Sequence, residues 1–73
     1  MQLYHFQMID PTGARHDVKS LRLANLAAVW REIDVLAATQ SRGAQIRVTN
    51  EAGGIVVLVG VSTARGLQAR PAA

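Results

Sequence analysis

The chain opens on strict alternation. In LYHFQM, Tyr4, Phe6 and Met8 fall on one side and Leu3, His5 and Gln7 on the other, the period of two that marks a strand. The run stops at DPTG, where Pro11 presets the first turn dihedral and Gly13 supplies a left-handed residue, so the chain reverses in a short hairpin. The returning stretch ARHDV is polar and reads as a short edge strand.

The period then changes. From Leu26, apolar side chains recur at Val29, Trp30, Ile33, Leu36 and Ala37, the three-and-four spacing of one helical stripe. Asn25 is placed to cap the first turn through its side-chain amide. Gly43 supplies a stop and Arg42 a favourable charge in the last turn. The predicted helix therefore runs over 26–42.

Period two returns in AQIRVT, with Ile46 and Val48 inward and Gln45, Arg47 and Thr49 outward. NEAGG is hairpin punctuation. The last element, IVVLVGV over 55–61, is apolar at nearly every position. It would present Ile55, Val57, Val59 and Val61 to one face and Val56 and Leu58 to the other, the pattern of a strand covered on both sides. The closing STARGLQARPAA has no periodicity and reads as a disordered tail.

Strand, strand, helix, strand, strand predicts an α+β fold of two layers, ββαββ, with one helix across one face of a small, mainly antiparallel sheet. The compact domain is expected over 1–61 and the tail over 62–73. One helix covers only one face of that sheet. The second face of the last strand needs another cover.

Composition sharpens this point. At 73 residues without cysteine, the chain buries only about 60 to 65% of the surface that its unfolded form exposes. Small domains commonly supplement such a core with disulfides, a metal or a partner subunit, and association is the supplement this composition leaves open. The absence of cysteine suits a reducing compartment. The N-terminal MQLYHFQMID has no signal-peptide pattern, and no apolar run is long enough to span a bilayer, so a cytoplasmic location is expected.

A pI near 10.7 suggests nucleic acid, but the charge is not concentrated in the body. Arg65 and Arg70 lie in the closing segment, which holds no acid, leaving six positive side chains against five negative. That balance lacks the clustered excess that phosphate binding requires.

The order of the elements, together with Tyr4, Phe6, Asp10, Gly13, Asp17, Leu23, Asn25, Ala28, Val48, Asn50, Glu51 and Gly53, resembles a large family of short bacterial proteins of unknown function, abundant in rhizobia and related soil bacteria. The likeness covers residues 3 to 61. Ser20 stands where that family usually has glycine, Asn25 and Asn50 replace acids, and His5 occupies a position more often aromatic. The resemblance implies a compact ββαββ unit and no established activity.

Candidate chemistry is sparse. His5 and His16 have only Asp10 and Asp17 as company, with no characteristic metal spacing, whereas zinc takes three or four ligands; they could still face each other across the hairpin. Ser20, Ser41 and Ser62 sit in no nucleophile elbow. Glu32 and Asp34, two apart on a helix, point in different directions. The glycines of AGG lie between strands, whereas a phosphate cradle precedes a helix. Trp30 reads as the largest plug of the core. No enzyme, metal or cofactor is expected.

What remains is the sheet face away from the helix, where His5, Gln7, Gln45, Arg47 and Thr49 join either Val56 and Leu58, the set taken for the interface, or the Ile55 set. An apolar centre with a polar rim suits an interface, and the expected function is a non-enzymatic interaction module, homodimeric through its sheet by face or edge. The alternative is weak nucleic-acid association through Arg15, Lys19, Arg47, Arg65 and Arg70. Single strands bind sheet faces through stacked aromatics, and all three aromatics here are assigned to the core.

Overall fold

The structure, a computed structural model, describes residues 1–40 and 43–64. Four strands and one helix follow the predicted order: β1 (Gln2–Ile9), β2 (Arg15–Leu23), α1 (Leu26–Thr39), β3 (Gln45–Asn50) and β4 (Ile55–Gly60). They form a small α+β fold with a four-stranded antiparallel sheet in the order β2-β1-β3-β4.

Two hairpins of the same construction make the sheet pairs. In the first, Asp10 Oδ1 accepts from the Thr12 and Ala14 amides at 2.9 and 3.0 Å, while the Gly13 amide donates to the Asp10 carbonyl. In the second, Asn50 Oδ1 accepts from the Gly54 amide at 2.9 Å, and the Gly53 amide donates to the Asn50 carbonyl. Gly13 and Gly53 take φ of +92° and +86°, conformations that glycine adopts at little cost. An Asp or Asn followed three residues later by Gly thus builds each reversal.

β2 is longer than the polar ARHDV segment suggests. It pairs with the whole of β1, from Ile9 opposite Arg15 to Gln2 opposite Leu23. The register slips between Phe6, opposite Lys19, and Gln7, opposite Asp17. Val18 is therefore the extra residue of a bulge, which bends the edge strand.

The helix starts as predicted, with Asn25 Oδ1 accepting from the Ala28 amide at 3.0 Å. It ends at Thr39 with Gln40 as its C-cap, earlier than the expected 42. Gly43 is not the stop. A Cβ on it would come within 3.0 Å of Pro11 Cγ, so its role is close approach to the first hairpin. Arg42 and Ser41 lie outside the described residues.

α1 lies against β2 and β3, burying Val29, Ile33, Leu36 and Ala37 over Tyr4, Phe6, Met8, Ile46, Val48 and Val57 of the sheet. Trp30 is only partly buried and packs at the margin of this core, and Leu26 is exposed. Both were expected in the stripe. The centre is instead Phe6, Ile33, Ile46, Val29, Val48 and Val61, all fully buried.

The compact part also runs past the expected boundary. Residues 61–64 are helical, the Val61 amide donates to the Ala44 carbonyl at 2.8 Å, and Val61 and Ala64 are buried in the core. Val61 thus belongs to the turn after the strand and not to the strand. The rest of the expected tail, with Arg65 and Arg70, lies outside the described residues.

Candidate interaction surface

Alternation sends every second side chain of the sheet away from α1, and the pairing registers show which of them become neighbours. One row reads Ser20, His5, Thr49 and Ile55, and the next reads Asp17, Gln7, Arg47 and Leu58. Hydrogen bonds run along both. His5 Nδ1 and Ser20 Oγ are 2.7 Å apart. In the second row Gln7 donates to Asp17 Oδ1 at 2.8 Å and accepts from Arg47 at 3.0 Å, so a neutral amide links a carboxylate to a guanidinium across three strands.

The polar rows end on β4 in Ile55 and Leu58, which are 56% and 53% exposed. Strict alternation would have placed Ile55 with Val57 and Val59 beneath the helix. A register shift prevents this: Val48 lies opposite Val57, but Thr49 lies opposite Ile55, leaving Val56 as the extra residue. Val57 and Val59 stay on the helix side with Val48 and Ile46, and Ile55 changes face. Val56, predicted for the open face beside Leu58, is half-buried and packs against the core. The bulge exchanges the two.

His5, Gln7, Gln45, Arg47 and Thr49 all occupy the open face, as their alternation predicts. Thr49 is buried within it, between the His5 and Ile55 positions of its row. Arg15 stands at the far end of that face, opposite Ile9. Lys19 does not share it: its ammonium is 2.7 Å from Glu32 of α1, on the helix side and already neutralised. Arg47 is bound to Gln7. Of the three described residues expected to contact nucleic acid, Lys19 is thus apart from Arg15 and Arg47.

The two histidines part as well. His5 faces Ser20, whereas His16 lies opposite Met8 and donates a ring N–H to Asp10 Oδ2 at 3.3 Å. Thr12 Oγ1 donates to the same carboxylate at 2.6 Å. Bonds from Thr12, then from His16, hold the Asp10 carboxyl down at about 2. Among the described residues, no three His, Asp or Glu side chains come together as a metal set.

A shallow depression of about 380 Å³ lies over the β1–β2 edge of this face, lined by His5, Gln7, Asp17, Ser20 and Thr49 among others. The His5–Ser20 pair has the reach of a base and a nucleophile. Among the described residues no carboxylate bonds to the His5 ring, and Asp17 accepts from Gln7. As built, the pair is a polar cross-strand contact.

No family model, curated protein or solved structure matches the chain. Among the described residues, no helix is long and apolar enough to cross a membrane.

Proposed function

We propose that this chain is a small, non-enzymatic interaction module of the cytoplasm, a member of the short bacterial family that its sequence resembles, and that it homodimerises through its sheet. One observation carries the reading: two large apolar side chains, Ile55 and Leu58, stand more than half exposed on the sheet face that α1 leaves uncovered. The other exposed large apolar residues, Met1, Val18, Leu26 and Val35, lie at the N-terminus, at a bulge and on the helix.

Burial of these two side chains is not sufficient by itself. Covering the exposed half of each of these side chains contributes about 1 kcal/mol, so the four in a symmetric dimer contribute about 4 kcal/mol. Association itself costs at least about that much. Further contacts at the same boundary must supply the surplus.

Sedimentation at micromolar concentration tests the reading. The wild type is expected to be a dimer and Leu58→Asp a folded monomer, because position 58 is half in water before any association. A wild-type chain that stays monomeric throughout overturns it.

A further inference from the structure

We infer that the dimer forms by edge pairing of β4 with β4 of a second copy, antiparallel about a two-fold axis perpendicular to the sheet, with Leu58 opposite its own counterpart. The inference rests on the homodimeric reading above and names the edge and the register.

The two outer strands of the sheet are unlike. β2 carries Arg15, His16, Asp17, Lys19 and Arg22 and is bent by the bulge at Val18, the devices that protect an edge from pairing. β4, IVVLVG, holds no charge and no proline. Among the described residues no strand pairs with its outer side, so its backbone donors and acceptors there are the ones open to another strand.

Stacking of two open faces is the rival arrangement. It would bury Asp17, Arg47, Gln7 and His5, the charged and polar rows that the face now exposes to water, and uncompensated burial of such groups opposes association. Edge pairing leaves those rows wet. It also sets Leu58 of one copy beside Leu58 of the other on that face, and the new backbone bonds supply the contacts that side-chain burial alone does not.

Symmetry restricts the register. A two-fold axis perpendicular to the sheet keeps both open faces on one side, so directly opposed residues must point to the same side and the axis must pass a residue opposed to itself. The bulge at Val56 leaves 57–60 as the regular part of β4, each residue in step with β3. Centring on Leu58 opposes Leu58 to Leu58 on the open face and Val57 to Val59 beneath it. An uncharged strand is compatible with itself in this way, whereas any charge at the centre would meet its like.

Charge exchange at position 58 provides the test. Leu58→Lys and Leu58→Asp are each expected to be monomeric alone where the wild type is dimeric, and to form a one-to-one heterodimer when mixed, because the two opposite charges then meet at the axis. Hydrogen exchange on the wild type supplies a second measurement: the β4 amides that point away from β3 become protected as concentration rises. A wild-type dimer whose β4 amides stay unprotected, or whose two variants fail to pair, overturns edge pairing while leaving homodimerisation standing. A wild type that is monomeric at every concentration removes both.

Discussion

Lys19 Nζ lies 2.7 Å from Glu32 Oε2, and this contact ties the outermost strand β2 to the helix. Lys19 is the one long cation that β2 turns toward α1, between the partly buried Leu21 and the exposed Val18. Both partners are about one third exposed, so water screens the pair and its net contribution is small. Glu32→Gln should lower stability by about 0.5 kcal/mol at low salt. The difference should shrink in concentrated salt, as read from urea midpoints at two ionic strengths. A cost that ignores salt would mean that packing, and not charge, holds the strand to the helix.

Asp10 organises the first hairpin and titrates accordingly. Its carboxyl falls from an ordinary 3.8 to about 2 through the bonds from Thr12 and His16, with the Ala14 and Thr12 amides adding to them. A carboxyl whose folded pKa is depressed stabilises the fold fully above its unfolded value and loses that contribution as pH falls through the folded one. The stability difference between wild type and Asp10→Asn should therefore be constant above about pH 4 and narrow between 4 and 2. Thermal melts across that range measure it, and a difference independent of pH would show that the charge does not stabilise the turn.

At the start of α1, Asn25 caps a first turn that carries no acidic residue. Asn25→Ala removes the acceptor for the Ala28 amide and should cost about 1 kcal/mol. Asn25→Asp keeps the acceptor and adds a negative charge at the positive end of the helix, raising stability by about 0.5 kcal/mol. Urea denaturation of the pair, followed by Trp30 fluorescence, separates the two effects by sign.

Beyond β4, Val61 is fully buried although it stands past the strand. Val61→Ala should cost about 2 kcal/mol, the loss of two buried methyl groups and the gap they leave. That is a large share of the total for a chain of this size, roughly 4 to 11 kcal/mol. A negligible change would place the edge of the core at Gly60.

Local rules reached the elements because each is encoded over a few residues. Tyr4, Phe6 and Met8 alternate and form the inward side of β1; Asn25 caps the helix that its position announces; Asp10 with Gly13 and Asn50 with Gly53 build the two reversals. Errors appeared where a distant segment competes with the local signal. The helix stops at Gln40 although apolar spacing and Gly43 suggested a longer run, and Gly43 is small because Pro11 presses on it. β2 extends over nine residues because β1 offers a partner along its whole length, which no pattern inside β2 records.

The candidate surface was half legible for the same reason. His5, Gln7, Gln45, Arg47 and Thr49 obey period two alone and do share the open face. Lys19 and Val56 do not. Two bulges, at Val18 and Val56, each insert one residue and reverse the phase of the strand beyond it, and a one-residue slip changes the face of every later side chain. Such a shift depends on how two strands meet, and the sequence of either strand alone leaves it undetermined.

By itself, then, the order of residues determined the number and kind of elements, their reversals and the inward side of the central strands, because those depend on short-range sterics and on a repeating choice between apolar and polar. Only the tertiary structure decided that β4 is an edge, that Ile55 and not Val56 accompanies Leu58 on the uncovered face, and that the chain's own residues 61–64 close the core behind it. Those outcomes depend on strand pairing and on which surfaces α1 reaches, and both are set by contacts between segments far apart in the chain.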